Sequence, residues 1–426
     1  MSKVKNWLEN ASPIWFSVYA IIAAFCSYAC MYAFRKAFTV GTFSEEAGFW
    51  GLNYKEILVI TQVLGYMLSK FVGIKVVSEM KATGRAASIL ILIGIAELAL
   101  LGFATIPRPY NFICLFFNGL PLGMIWGLVF SYLEGRRFTE VMGLGLCASF
   151  TFASGFVKDV GKWIISLGAT EFWMPFLTGA LFAIPLLIFV WMLNQMPPPN
   201  DQDEALRTKR APMSGPERLA FFKRFAVGII MLVLVYTMLT AYRDFRDNFM
   251  EDILVSLKGK DHGVSFSGIE GPVSLGVLGI LMLIVLVKDN VKALMINHVA
   301  ILLGTLLAGL ATYGYHAGWW NEWWWMFLTG YATYLAYIPF NSILFDRLIA
   351  AFRYVSNVGF LIYLADSFGY MGSVSVLLYK DFGAADLSWA SFFSQLSYAL
   401  AIVGFVGTTA SMAYFYWQGK KMKAEN

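Results

Sequence analysis

Charge is scarce in this chain. Of its 426 residues only 14% are Asp, Glu, Lys or Arg, while 58% are hydrophobic. A water-soluble globule needs more polar surface than that, so a soluble fold is excluded. Histidine is scarcer still: His262, His298 and His316 are all there is. The four cysteines (Cys26, Cys30, Cys114 and Cys147) fall in apolar runs far from those histidines. Cys26 and Cys30 share a helix face, but a metal centre needs more ligands. The thiols read as packing groups, and no metal is expected. No Gly-x-x-x-x-Gly-Lys-Ser/Thr loop occurs, which argues against direct drive by ATP. Nor is a nucleophile–base constellation visible, so neither an enzyme nor a cofactor is expected. The net charge of +5 needs no nucleic-acid partner. No cleavable signal peptide is seen. The first apolar run follows Lys3 and Lys5, is too long for a signal core, and ends in Arg35-Lys36.

What the chain has is long apolar runs. A helix needs about 20 apolar residues to cross a hydrocarbon core of about 30 Å. Twelve such spans are expected, with ends good to a few residues. In the first half they cover 13–35, 56–77, 86–106, 110–133, 138–166 and 171–194. In the second half they cover 222–247, 268–288, 293–316, 322–345, 352–379 and 388–417. Between the halves lies Met196-Pro-Pro-Pro-Asn-Asp-Gln-Asp-Glu204, the long polar, proline-bearing stretch. It reads as a cytoplasmic linker at 195–221 between six-helix bundles at 1–194 and 222–426. Lys and Arg concentrate in the segments that share a side with the N-terminus, such as Lys81, Arg85, Arg136, Arg137, Arg210 and Lys421. That bias places both termini in the cytoplasm of a multi-pass protein of the cell (inner) membrane. The five tryptophans at Trp319, Trp320, Trp323, Trp324 and Trp325 read as an interfacial belt.

The first span ends in Tyr32-Ala-Phe-Arg35-Lys36, and the seventh ends in Tyr242-Arg243-Asp244. Adjacent cations at the end of a spanning helix are costly unless they face water, a cavity or an anion. A lone pair reads as interface anchors that snorkel. A second Tyr–Arg ending in the other half points instead to two parts of one anion site, because a guanidinium offers a planar fork to paired oxygens. The halves repeat elsewhere too. Glu134 and Arg136 follow the fourth span, while Asp346 and Arg347 follow the tenth. Two six-helix units in parallel repeat, with a site at their interface, form the pattern of the major facilitator superfamily.

The chain resembles that superfamily over nearly its whole length. Within it, the chain is most similar to the organophosphate:phosphate antiporter group. Tyr32-Ala-Phe-Arg35-Lys36 stands where that group has Tyr-x-x-Arg-Lys, and Gly65-Tyr66-Met-Leu-Ser69-Lys70-Phe71 resembles its Ser-Lys-Phe run. Arg243 stands where the group has an arginine late in its seventh helix. The resemblance implies that Arg35 and Arg243 bind a substrate phosphate, with Lys36 and Lys70 assisting. The group's helix-five histidine has no counterpart, since 138–166 contains none. The sequence leaves open whether Asp244 and Asp247 neutralise Arg243.

Further charges lie within spans. Lys70 is expected either to pair with Glu97 or another polar group, or to serve as a third substrate cation. Asp366 is a candidate proton carrier or a partner for Lys70 or Arg243. Glu97 is expected to turn toward a polar neighbour in a structural charge pair. Glu134, Arg136, Asp346 and Arg347 are expected to form a cytoplasmic gate. The expected protein is an all-α secondary transporter that acts as a monomer. It moves a small organic anion, such as a phosphate ester exchanged for phosphate, by alternating access. Tyr32 and Tyr242 would add hydroxyls to the site. Two alternatives stand beside it: a proton-coupled symporter of a neutral or cationic solute, and a non-transporting membrane sensor or scaffold.

Overall fold

The computed structural model describes residues 3–79, 84–134, 136, 138–199, 215–259, 263–352 and 358–425. Most of the expected linker, at 200–214, lies outside the described residues, as do Lys81, Arg137 and His262. The described residues are helical, joined by turns and short irregular connections.

The chain divides into two compact units. Unit 1 comprises Met1–Arg207, Gly263–Gly271 and Asp381–Gly383; unit 2 comprises Thr208–His262, Pro272–Lys380 and Ala384–Asn426. A short helix α1 (Lys3–Asn10) precedes α2 (Pro13–Lys36), the first span. Ser12 caps α2, its hydroxyl accepting from the Trp15 amide at 3.5 Å, and Pro13 stands where a missing N–H costs nothing. A 3-10 turn (Ala37–Val40) ends this segment. Glu171 fixes the chain beyond, accepting from the Thr42 and Phe43 amides at 2.8 and 3.0 Å.

The next elements are α3 (Tyr54–Glu79), α4 (Arg85–Thr105), α5 (Phe112–Leu122), α6 (Ile125–Leu133), α7 (Thr139–Ser166) and α8 (Met174–Asn194). The expected fourth span is thus two helices. Pro121 cannot donate to the helix ladder, and the break follows at Gly123.

Unit 2 opens with α9 (Gly215–Lys258), whose backbone leaves helical geometry at Phe225 and Phe249. Then come α10 (Phe266–Val285), α11 (Asn290–His316), α12 (Glu322–Ser342), α13 (Leu344–Ala351), α14 (Val358–Gly383) and α15 (Trp389–Glu425). The tenth span breaks as the fourth does, with Pro339 near the end of α12 and α13 following. This is a second sign of the repeat. Asp289 caps α11 through the Val291 and Lys292 amides, and Asn321 caps α12 through the Trp324 amide.

Among the described residues, eleven helices are long and apolar enough to cross a membrane. The remaining expected span is α12, whose tryptophans and tyrosines make it less apolar. Large aliphatics stand on outer faces, among them Ile91, Leu98, Ile184, Leu283 and Leu286. Exposed apolar surface on this scale suits lipid as the solvent. The tryptophan cluster splits. Trp319 and Trp324 are exposed as a belt requires, but Trp325 is buried. It stacks on Tyr315 at 4.4 Å and donates to Thr312 Oγ1 at 3.0 Å.

In unit 1, α2 packs on α7 and α8, while both α3 and α4 pack on α5. The α3–α5 contact is a backbone approach at paired glycines. A Cβ on Gly65 would stand 2.2 Å from the Phe116 carbonyl oxygen, and one on Gly119 the same distance from the Gln62 oxygen. Without a hydrophobic drive between helices in lipid, such closeness is what small residues supply. Gly65→Val is therefore expected to lower the thermal unfolding midpoint in detergent, at a cost of about 1–3 kcal/mol for overpacking. Gly94→Ala, where a Cβ meets nothing within 4 Å, should leave the midpoint unchanged or raise it. Equal midpoints for both variants would refute this packing account.

Candidate functional site

Unit 1 gathers cations and aromatic rings around the end of α2. Arg35 is buried, and its guanidinium lies over the Tyr66 ring of α3, 3.7 Å from the centroid. Gln62, one turn before Tyr66, donates to the Arg35 carbonyl at 2.9 Å and to Asn118 Oδ1 at 2.8 Å. Asn118 in turn donates to the Phe34 carbonyl at 2.9 Å, so the last turn of α2 is held from two helices. Lys70 is buried one turn beyond Tyr66. Its Nζ stands 5.3 Å from the Tyr66 ring centroid and 5.8 Å from that of Trp126 on α6. Cation–π contact of this kind offsets part of the cost of removing a charge from water. Tyr28 and Tyr32 meet edge to face at 5.6 Å, and Tyr28 meets Phe150 of α7 in the same way. Lys36 is buried at the start of the 3-10 turn, its carbonyl accepting from Thr39 Oγ1 at 2.8 Å.

Unit 2 places a matching arginine on α9. Arg243 donates from Nε and Nη2 to Asp244 Oδ1, at 3.1 and 2.6 Å. Its guanidinium lies over the Tyr337 ring of α12, 4.3 Å from the centroid. Ser373 of α14 donates to Asp244 Oδ2 at 2.9 Å. Asp244 therefore does pair with Arg243, and Nη1 is left without an acceptor among the described residues. Above this pair Tyr236 donates to Asp366 Oδ1 at 2.5 Å, and the hydroxyls of Tyr236 and Tyr337 lie 3.0 Å apart.

These contacts arise because α14 comes close to α9. A Cβ on Gly369 would meet Thr240 Oγ1 at 2.8 Å, and one on Gly372 would meet Thr237 Cγ2 at 2.6 Å. The residues Tyr236, Thr240 and Asp244 recur every four positions and so share one face of α9. Asp366, Gly369 and Ser373 meet that face from α14.

Several expectations are corrected by this geometry. Tyr242 does not accompany Arg243. One residue is about 100° of turn on a helix, and Tyr242 faces α15, where its hydroxyl bonds Ser397 Oγ at 2.9 Å and its ring stacks on Phe393. Among the described residues Glu97 forms no charge pair. Neither carboxylate oxygen has a hydrogen-bond partner among the described residues, and the group lies against Gly179 of α8. It does not meet Lys70 because α5 stands between α3 and α4, each packing on it. Asp366 is held by Tyr236 rather than by the Arg243 guanidinium, whose bonds go to Asp244.

At the other helix ends, Arg136 donates to the Tyr132 carbonyl at 3.2 Å and to the Pro197 carbonyl, and its guanidinium lies over Phe16. Arg347 donates to Asn290 Oδ1 at 2.9 Å and to the Val285 carbonyl at 3.3 Å. Each of these bonds closes within one unit. Their neighbours Glu134 and Asp346 stand at the C-cap of α6 and in the first turn of α13.

Tyr66, Trp126, Tyr236, Tyr337, Asn341 and Ser373 were not singled out from sequence. One signal was available for Tyr236. Tyr28 and Arg35 are seven residues apart, and so are Tyr236 and Arg243. Seven residues are two turns, so each pair shares one helix face. Tyr28 and Tyr236 therefore correspond, where Tyr32 and Tyr242 had been matched.

Removing one partner of a buried ion pair strands the other. Asp244→Asn is expected to cost about 3–5 kcal/mol of stability, and Arg243→Gln combined with Asp244→Asn to cost less than that single change. Unfolding in detergent, read as a double-mutant cycle, checks this. Additive effects would mean that the pair is not coupled.

Comparison with known proteins agrees with the architecture. No curated protein matches the chain in sequence. In structure it is similar to a D-xylose-proton symporter, with TM-score 0.59 and 14% identity, covering 94% of this chain and 97% of that one. It is also similar to a bacterial homologue of the human drug peptide transporters, with TM-score 0.60 and 11% identity, covering 93% and 98%. A POT family transporter in complex with a thioalcohol-conjugated peptide gives TM-score 0.58 and 13% identity over 92% and 94%. Identities this low establish the fold, which is all-α and of the major facilitator type. A family model covers residues 37–418, and by that match the chain belongs to the family described as a family of unknown function (DUF5690).

Proposed function

We propose that the chain is a secondary active transporter that moves a small organic anion by alternating access, in its specific form a phosphate ester exchanged for phosphate. One observation carries the reading. Each unit places an arginine seven residues after a tyrosine on its leading helix, buried at Arg35 and half-buried at Arg243, with the guanidinium laid against an aromatic ring of that unit. A ring takes the face of a guanidinium, and an oxyanion bonds its N–H edge. On Arg243 that edge is Nη1. Arg35 and Arg243 bind the charged group, Lys36 and Lys70 assist, and Tyr32 adds a hydroxyl. Tyr242, bonded to Ser397, drops out. Glu134, Arg136, Asp346 and Arg347 act on the conformational balance of their own helix ends, where a few kcal/mol is enough to shift populations. The solved proteins of similar fold are named as transporters of xylose with a proton and of peptides, which supports transport as the class.

A second reading, proton-coupled symport of a neutral or cationic solute, draws on the buried Asp366–Tyr236 pair. Uptake driven by a pH gradient with no anion on the far side would favour it.

Uptake of phosphate and sugar phosphates into proteoliposomes tests the first reading. Arg35→Ala and Arg243→Ala are each expected to lower uptake about tenfold or more, since a hydrogen bond to a charged group contributes about 1.5–3 kcal/mol. Wild-type rates in both variants would sink the site assignment.

A further inference from the structure

Unit 1 carries an apolar groove that plays no part in the polar cluster around Arg35. It lies between α3 and α5 and holds about 350 Å³, lined among others by Trp50, Ile57, Thr61, Leu64, Ile113 and Phe116. That volume falls in the range of small-molecule sites, about 300–1,000 Å³. Ile57, Thr61 and Leu64 form one stripe of α3, while Gln62 and Tyr66, which serve Arg35, form the next. The lining residues of the two helices all precede Gly65 and Gly119, where the backbones meet. Both helices belong to spans apolar enough to cross a membrane. Leu64, Ile113 and the neighbouring Phe117 are exposed, so the groove is continuous with the apolar outer surface that lipid covers. No charged side chain lines it, and its one hydroxyl is that of Thr61. Such walls give a polar solute no hydrogen bonds and suit a hydrocarbon chain.

One end of the groove is bounded by a strained residue. The Leu52 amide donates to the Phe49 carbonyl at 3.1 Å and closes a two-residue turn on Trp50 and Gly51, with φ of 58° and 77°. Positive φ at both central positions is the type I′ pattern, which favours Gly, Asn or Asp. Gly51 meets that demand, whereas a tryptophan beside it adopts the left-handed region against a steric cost. The indole meets Phe49 and Phe112 with ring centroids at 4.7 and 5.9 Å, yet it stays 72% exposed. Packing within the protein is thus a small return for the strain, and strain of this kind gathers at ligand clamps. An indole also suits the boundary between hydrocarbon and headgroups, with its ring in one and its N–H in the other.

We propose that the groove is a binding site for an acyl chain of a membrane phospholipid, with Trp50 as its clamp. A second copy of the chain is the other apolar candidate, but the indole interrupts the smooth stripe that a packed helix needs. A chain in the groove supports α3 and α5 from the lipid side. Those helices carry Gln62 and Asn118, which hold the last turn of α2. Bound lipid therefore stabilises the frame of Arg35, whatever solute the protein moves.

The full chain is reconstituted in vesicles of phosphatidylethanolamine and phosphatidylglycerol, with a trace of phosphatidylglycerol bearing a diazirine within an acyl chain. After illumination, mass spectrometry maps the labelled residues. Label at Thr61, Leu64 and Ile113 is expected to be several-fold denser than at Ile184 and Leu283, which stand on open outer faces. Thr61→Trp, which fills the groove, should remove the label at Ile113 and keep that at Ile184. Equal label in the groove and on the outer faces would mean passing lipid only and overturns the proposal. So does a disulfide between copies that forms in Ile113→Cys and not in the wild type, since it assigns the groove to a second copy. Thermal unfolding in detergent tests the clamp. Trp50→Gly relieves the strained turn, so its lipid-free midpoint is expected to equal or exceed that of the wild type. Added phosphatidylglycerol should raise the wild-type midpoint and raise that of Trp50→Gly markedly less. An equal rise in both proteins, or a lower lipid-free midpoint in the variant, overturns the role given to Trp50.

Discussion

A guanidinium buried in a membrane-spanning bundle has lost its water and must find compensation from its neighbours. The positions of α3, α12 and α14 follow from that demand. Arg35 lies against Tyr66, and Arg243 lies against Tyr337 while bonding Asp244. The guanidinium of Arg35 lies 3.7 Å from the Tyr66 ring centroid. Arg243 shares its charge with a carboxylate at 2.6 Å, so it offers direction more than net charge. Its Nη1 edge is the one left without an acceptor among the described residues.

Close approach of backbones makes these networks possible. Gly369 and Gly372 let α14 settle on Thr240 and Thr237 of α9, and only then do Asp366 and Ser373 reach Tyr236 and Asp244. In unit 1 the pairing of Gly65 with Gly119 brings α3 against α5, so that Gln62 reaches Asn118 and the Arg35 carbonyl. In lipid, where apolar surface alone gives helices little reason to associate, small residues and side-chain hydrogen bonds take over that work. The glycines are thus as much a part of the polar clusters as the charges are.

The repeat between the halves is of two kinds. The breaks after Pro121 and Pro339 and the seven-residue Tyr–Arg spacing are shared. The charge inventory is not, because Lys36 stands after Arg35 where Asp244 stands after Arg243. The two halves share a frame and differ in their charges. Unit 1 is built around cations with aromatic partners, and unit 2 around an arginine–acid pair and a phenol–acid pair.

Sequence alone determined the helical class and the placement of the spans, because hydropathy is a local property and bilayer thickness fixes helix length. It also named Arg35, Lys70, Arg243 and Asp366 as charges in need of partners, since any charge in an apolar run is conspicuous. It did not determine the partners. Tyr66, Trp126, Tyr236 and Tyr337 are ordinary aromatics in an aromatic-rich chain, and which of them faces a cation depends on how helices distant in sequence rotate and pack. Tyr242 turned away from its neighbour Arg243 because adjacent residues on a helix point in different directions. Glu97 missed Lys70 because α5 lies between their helices. Partner choice is a long-range geometric outcome, so it was left to the tertiary structure to decide.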